Sequence, residues 1–256
     1  MTRQTRLAPL LLFAALVAGC ASAPSDPAAR AQFKANNDPL EPLNRKVFAF
    51  NLVVDRVLWK PLAKGYRAAL PPGGRDAVRH FLDNLNEPVV LANNLLQGRF
   101  ADAGITGCRF VVNTTVGVAG LADVAGRRHL PKQVGDFGQT LWSWGLQEGP
   151  YLILPVVGPS NPRDGIGGAV DAYLDPVRYV VANNNYSTDF PAGRIILDGI
   201  DKRSRNIESL DEMQREAIDY YASFRSLFRQ HRAGELRGPA AQAPVAAPGF
   251  YDDPGR

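Results

Sequence analysis

The chain has 256 residues, enough for one sizeable domain, and a formal net charge of +4. Lys and Arg are spread along the sequence without a basic block, which argues against nucleic acid as a partner. The only cysteines are Cys20 and Cys108.

Residues 1–19 have the parts of a secretory signal peptide. Arg3 and Arg6 form a positive n-region, and the uncharged segment 7–18 is apolar apart from one proline. This segment is too short to span a bilayer and is typical of a signal h-region. The sequence therefore predicts export.

The end of this segment, Val17-Ala18-Gly19-Cys20, resembles a lipobox, with Val17 where Leu is usual. We expect cleavage before Cys20 and lipid attachment to its thiol. The alternative is a plain secreted protein in which a cysteine lies at the cleavage site by chance. Two or more acyl chains give stable membrane attachment. Position 21 is Ala and not Asp. By resemblance to bacterial lipoprotein sorting, this favours the periplasmic side of the outer membrane over retention in the inner membrane.

Removal of the signal, which carries two arginines and no acid, lowers the net charge from +4 to +2. Lipidation of Cys20 would leave Cys108 without a disulfide partner, and we expect Cys108 to be a small buried hydrophobe. Residues 20–37 are small, polar and proline-containing, which predicts a flexible tether. Residues 233–256 become rich in Ala, Pro and Gly and are predicted to be disordered.

Between tether and tail, residues 38–232 are predicted to form a mainly α domain. The first helix begins at Asp38-Pro39-Leu40-Glu41, a capping pattern, and runs to about Trp59, ending before Pro61. Its apolar residues occupy more than one stripe, which indicates burial or lipid contact.

Further helices follow. Asn86-Glu87-Pro88 is typical of a helix start. The glycines of 117–126 indicate a short helix, tight packing or mobility. In the last helix, Ile218 and Tyr221 lie near one face. The predicted ranges are about 74–84, 86–97, 100–115, 136–144, 163–174, 192–209 and 211–232, with a loop at 127–132.

The segment 149–159 is nearly all apolar but contains Pro150, Pro155 and Pro159. Proline forbids a regular helix here and interrupts any central strand. The segment is predicted to be an irregular apolar loop.

Motifs of catalysis are missing from the sequence: it has no G-x-S-x-G, H-E-x-x-H or C-x-x-C pattern. Asp164 and Asp175 fit turn and cap roles better than acid/base or metal roles, and with Asp171 they lack the spacing of a calcium loop. The glycines of 165–168 favour close helix packing over phosphate binding. We therefore predict no enzyme activity, no metal and no cofactor.

Seven segments in order are similar to the MlaA (VacJ) family of outer-membrane lipoproteins, over residues 38–230. The resemblance is carried by 38–45 with Phe48 and 50–51, by 84–88 and 95–98, by 109–110 and 113–117, by 120–125, by 136–141, by 149–151 with 154–155, and by 158–160 with 163–165.

The resemblance implies a ring-like single domain of amphipathic helices around a central channel, with irregular Pro/Gly-rich loops. It implies removal of mislocalised phospholipid from the outer leaflet and its transfer to a soluble periplasmic carrier, MlaC in the family, which maintains lipid asymmetry. It also implies association with a trimeric porin.

A phospholipid has an anionic head and two apolar tails, so a channel for it needs one polar wall and tolerance for hydrocarbon. Our hypothesis places Arg163 near the phosphate. Asn44, Phe48 and Asn51 recur one helical turn apart and are expected to brace the ring interior. Residues 126–138 are a candidate gating element. The candidates for the lipid-contacting wall or membrane-facing rim are Tyr151, Leu152, Leu154, Pro155, Val156 and Val157.

Two other functions stay open at this point. One is a structural lipoprotein that links envelope components. The other is a membrane-tethered hydrolase, for which Asp123, Asp164 and Asp171 would be the acidic candidates.

Overall fold

The structure, a computed structural model, describes Asp26, residues 37–183 and residues 189–237. The predicted signal peptide and Cys20, nearly all of the tether and residues 238–256 lie outside the described residues. Residues 233–237, which were assigned to the tail, instead complete the last helix. In the described part of the chain, no helix combines the length and apolarity needed to cross a membrane.

The described residues form ten α-helices and one two-stranded hairpin, which confirms a mainly helical single domain. The elements are α1 Glu41–Val54, α2 Lys60–Ala69, α3 Pro72–Leu96, α4 Phe100–Thr115, α5 Phe137–Ser143, β1 Leu152–Leu154, β2 Gly158–Ser160, α6 Pro162–Leu174, α7 Pro176–Asn183, α8 Asp189–Arg205, α9 Ile207–Glu216 and α10 Tyr220–Arg237.

Pro61 does not end the first helix, contrary to the sequence-based prediction. A π-helical turn, Asp55–Trp59, joins α1 to α2, and the Lys60 amide donates to the Asp55 carbonyl five residues back. In a regular helix the proline ring would press on the carbonyl of Val57. The wider π turn accommodates the ring, so the chain continues as helix.

Pro88 lies inside α3, so the two helices predicted for 74–84 and 86–97 are one. The proline removes one hydrogen bond, to the carbonyl of Asn84. Leu82 on one side of it and Val89 on the other are both buried, and α3 packs along α4. Packing on both sides therefore outweighs the local preference for a break.

The C-terminal helices also differ from the predicted ranges. The chain turns at Ala217, whose backbone is extended, and α10 begins beyond Asp219, whose carboxylate accepts from the Ala222 amide at 3.1 Å. Ile218, predicted on one face with Tyr221, is fully exposed in this break. Helix α7 was missed.

Cys108 is exposed, so the prediction of a buried cysteine is wrong. Helix α4 buries Ala103, Thr106, Arg109 and Asn113, which share one face. Cys108 follows Thr106 by two positions and therefore lies on the opposite side of the helix.

Two regions rich in glycine, 117–126 and 165–168, pack closely against neighbouring parts of the chain. An added Cβ at Gly117 would lie 2.3 Å from the Ala122 carbonyl oxygen, and one at Gly120 would lie 2.4 Å from the Asn84 Cβ. In α6, an added Cβ at Gly167 would lie 2.3 Å from the Gly138 nitrogen in α5. Tight packing is thus the role of these glycines.

We expect Gly167→Ala to lower the free energy of unfolding by about 1–3 kcal/mol, because its methyl group would overlap the α5 backbone. Gly168→Ala is the matched control in the same helix, since an added Cβ there meets nothing within 4 Å. The control should be neutral or stabilise by up to about 1 kcal/mol. Chemical unfolding of both variants checks this, and equal stabilities would contradict it.

Candidate functional site

The hairpin β1–β2 is fastened to α1 by two asparagines seven residues apart. The Asn44 side chain donates to the Tyr151 carbonyl at 3.0 Å and accepts from the Ile153 amide at 2.9 Å. Asn51 donates to the Leu154 carbonyl at 3.0 Å and accepts from the Val156 amide at 2.8 Å. Among the described residues β1 pairs with β2 along one edge only, so the asparagines take the place of a strand along the other edge.

Between the two asparagines, Phe48 enters an aromatic cluster. Its ring lies 5.3–5.5 Å from the rings of Tyr220, Tyr221 and Phe224 in α10. With Tyr151 and Ile153 of the hairpin segment, Phe48 and Tyr221 form a cluster of buried apolar side chains. The expected bracing triad of α1 therefore holds the hairpin and α10 together.

Asp38 supports this junction instead of capping α1. Its carboxylate accepts from Asn44 at 2.8 Å, from Arg225 at 2.7 Å and from the Tyr221 hydroxyl. Burial, together with the neighbouring carboxylate, raises the pKa of Tyr221 above its usual range. The Tyr221 hydroxyl therefore keeps its proton and serves as a donor at neutral pH.

The six candidates for the lipid wall fall into a buried and an exposed part of the hairpin. Tyr151 is 2% exposed and packs on the aromatic cluster, so its side chain is inside the protein and not on a surface wall. Leu152 and Leu154 are half-buried, Pro155 is exposed, and Val156 and Val157 are 52% and 77% exposed. The hairpin tip, 155–157, is thus the part available for contact.

Val156 has a left-handed backbone, with φ of +66°. This conformation is strained for a β-branched residue and persists only where surrounding contacts impose it. The hydrogen bond from its amide to Asn51 is such a contact.

Arg163 is not available to a phosphate in this structure, contrary to our hypothesis. It is 2% exposed and pairs with Asp164 at 2.9 Å. Asp164 also binds Arg232 of α10, which reaches Asp136 at 2.7 Å. Burial raises the pKa of Asp164, but hydrogen bonds and charge from Arg232 and Arg163 outweigh it, so this pKa lies below its ordinary value.

A second buried network joins three of the motif segments. Arg109 of α4 donates to Glu87 of α3 at 3.1 Å and lies 3.2 Å from Asp123, which also accepts from Asn113. Desolvation raises the pKa of Glu87, although Arg109 opposes the shift. The motif segments 84–88, 109–110 and 120–125 thus meet at one junction. Their spacing along the chain did not reveal this contact.

The acidic candidates for hydrolysis are each engaged in such junctions. Asp123 binds Arg109 and Asn113, and Asp164 binds Arg232. Asp171 accepts from the Asn93 side chain at 2.8 Å and from the Phe137 amide at 2.9 Å. Their contacts give these carboxylates roles in holding helices together.

The candidate gating element, 126–138, is tied to its surroundings at several points. The Leu130 carbonyl accepts from Arg109 at 2.6 Å, and Lys132 pairs with Asp83 at 2.7 Å. Gln133 is buried. Whether the segment opens a channel stays a prediction.

Large apolar side chains are exposed around the described part of the molecule. They lie on several helices, in the turns between helices and at the hairpin tip. Those at least 50% exposed are Leu43, Phe50, Val53, Val57, Phe100, Val111, Val116, Val118, Trp144, Val156, Val157, Ile166, Tyr173, Ile195 and Ile218. A surface of this kind marks contact with a membrane or a partner.

We expect Asn51→Ala to release the hairpin tip while Asn44 still holds its base. Hydrogen exchange at the Val156 amide should accelerate, exchange at the Ile153 amide should not, and stability should fall by about 1 kcal/mol. Asn51→Asp keeps the acceptor and should preserve protection at Val156. Equal exchange in all three proteins would contradict this assignment.

We expect Arg232→Met to cost about 3–5 kcal/mol, because Asp136 and Asp164 would lose their buried partner. In the wild type, the depressed pKa of Asp164 gives stability that is present above its ordinary value of 3.8 and lost as pH falls through the folded value. The variant should lose part of this acid dependence. Urea titrations between pH 3 and 7 check it, with exposed Arg215→Met as control.

Comparison with known proteins is consistent with these features. The MlaA lipoprotein family model matches residues 36–235. The intermembrane phospholipid transport system lipoprotein MlaA of Escherichia coli K12 is 33% identical over 250 residues, 93% of this chain and 94% of that protein. The protein of that name in Haemophilus influenzae is 32% identical over 226 residues, 86% of each chain.

A solved structure from work on the structural basis for maintenance of bacterial outer membrane lipid asymmetry has the same fold. The TM-score is 0.69 at 32% identity, and the match covers 78% of this chain and 98% of the other. The family model and the two relatives cover most of the chain, and the fold agrees. This chain belongs to the MlaA lipoprotein family.

Proposed function

We propose that this chain is an outer-membrane lipoprotein of an intermembrane phospholipid transport system. It removes mislocalised phospholipid from the outer leaflet and passes it to a periplasmic carrier, which maintains lipid asymmetry. The names of the Escherichia coli and Haemophilus influenzae relatives support this proposal. The observation that carries it is the pairing of an apolar exterior with a polar interior.

The interior is unusually polar for a folded domain. The largest side chains that are fully buried are Asn44, Asn94, Thr106, Thr140, Asp38, Asp201 and Ser204. In water, exposed Phe50, Val53 and Val57 would cost free energy in proportion to their area, about 25 cal/mol per Å². Immersion of this surface in one lipid monolayer removes that cost.

Phospholipid is amphipathic, so its passage requires polar groups for the head and tolerance for hydrocarbon. A ring of helices around a central channel meets both needs, with polar networks at the helix junctions and apolar side chains outside. In this proposal the hairpin tip lies at the membrane-facing rim. No bond is made or broken in the passage, so we propose no enzymatic activity.

The proposal includes an anchor and two partners. Cys20 carries acyl chains that hold the protein on the periplasmic side of the outer membrane. A trimeric porin associates with the helical ring, and an MlaC-like soluble carrier receives the lipid. These partners follow from the family resemblance.

We expect Cys20→Ser to abolish incorporation of labelled palmitate and to release the protein from outer-membrane fractions into a soluble or inner-membrane pool. Cys108→Ser is the matched control and should leave labelling and fractionation unchanged. Labelling that survives Cys20→Ser would contradict the anchor.

The function itself is tested by lipid contact and by the state of the membrane. A photoreactive side chain at Leu154 or Val157 should form phospholipid adducts in cells, whereas one at exposed Gln214 should form few. Deletion of the gene should raise phospholipid in the outer leaflet. A purely structural lipoprotein would give no phospholipid adducts, and its deletion would leave lipid asymmetry unchanged. Absence of adducts, or unchanged asymmetry after deletion, would overturn the proposal.

A further inference from the structure

A pocket of about 270 Å³ lies where three helices meet, outside the hairpin junction. It is formed by the turn between α3 and α4, by α5 and by the end of α10. Its lining includes Arg99, Gln139, Trp142 and Arg237.

Gln139 is the main reason to regard this pocket as a binding site. Its side chain is 3% exposed, and neither its amide nitrogen nor its amide oxygen has a hydrogen-bond partner within the described ranges. Its backbone amide is satisfied by Asp136 at the start of α5. A buried amide without partners is costly, and Gln139 lines a pocket that a ligand can fill.

Two arginines, Arg99 and Arg237, line the pocket. Arg99 donates through Nε to Asp102 at 2.8 Å and through Nη1 to Gln97 at 3.1 Å, but its buried Nη2 has no hydrogen-bond partner in the described part of the chain. Arg237 donates to the Ala233 carbonyl and is in no ion pair among the described residues. Since no carboxylate lines the pocket, its guanidinium groups suit an anion such as phosphate.

Apolar and aromatic side chains surround this cationic site. Trp142 lines it and is 42% exposed, and Trp144 donates through its indole to the Leu96 carbonyl at 3.3 Å. Leu96 and Phe100, close to Arg99 in the chain, are exposed as well. Tryptophan beside arginine and exposed apolar groups is typical of the headgroup level of a membrane.

We propose that Arg99, Gln139 and Arg237 bind the phosphate of a phospholipid headgroup, with the acyl chains lying along the apolar surface near Trp142. The inference rests on the proposed function in one respect: it requires that this face meets lipid. It adds a headgroup site at α5 that is separate from the hairpin tip.

The site is tested on the full lipoprotein in maltoside detergent after removal of bound lipid. Dihexanoyl-phosphatidylglycerol is titrated, and binding is followed by tryptophan fluorescence. Arg99→Gln and Arg237→Gln should each raise the Kd, by about tenfold or more for Arg99 because a charge-assisted hydrogen bond is lost. Exposed Arg215→Gln is the matched control and should leave the Kd unchanged.

Gln139→Leu separates binding from folding. Leucine removes an amide that lacks partners, so the lipid-free variant should melt at the wild-type temperature or above it. Phospholipid should no longer raise its Tm. A variant that melts lower without lipid, or one that still gains the full lipid-induced shift, would overturn the role of Gln139.

Two soluble probes identify the source of the phosphate. Glycerophosphoglycerol should compete only at much higher concentration than the lipid, and inorganic phosphate should compete least. Inorganic phosphate that binds as tightly as the lipid would overturn a headgroup site, as would an unchanged Kd in Arg99→Gln. Loss of lipid crosslinking at Leu154 and Val157 would instead overturn the proposed function, which the titration does not measure.

Discussion

The fold depends on two asparagine side chains that complete the hydrogen bonding of a single strand. The hairpin is formed by a proline-interrupted sequence, and among the described residues β1 has a partner strand on one side only. Unpaired amides and carbonyls on its other side would be costly inside a protein. Asn44 and Asn51 satisfy them from α1. Through Phe48, the same helix packs against α10, so one helix joins the hairpin to the C-terminal part of the domain.

The other junctions follow the same principle, with charge in place of amides. Arg109 joins α3 to α4 and the following loop, and Arg232 joins α10 to α5 and α6. A domain that exposes so much apolar surface has few apolar side chains left for its interior. Directional hydrogen bonds and ion pairs then determine the arrangement of its helices. This distribution suits the proposed position of the protein within one lipid monolayer.

Sequence patterns predicted the helical class, α4 and α5, because the apolar periodicity of α4 and the Asp136 cap of α5 are local features. They did not predict helices that continue through Pro61 and Pro88, because a π turn and packing on both sides of α3 are not encoded in local propensity. Asn44, Phe48 and Asn51 were recognised as a unit, but their target, the hairpin, is over 100 positions away. Arg163 was misjudged because burial depends on Asp164 and Arg232, which meet only in the folded chain.

The contact of Gly138 with Gly167 fixes the base from which the hairpin projects. Helix α5 ends just before the hairpin segment and α6 begins just after it, so both ends of this excursion are held at backbone-to-backbone distance. Tyr151 and Ile153 are buried against Phe48 and Tyr221, so only the hairpin tip, residues 155–157, is left free to shift by rotations within the hairpin. A displacement of the tip breaks the hydrogen bonds to Asn51 and leaves the packed helices in place.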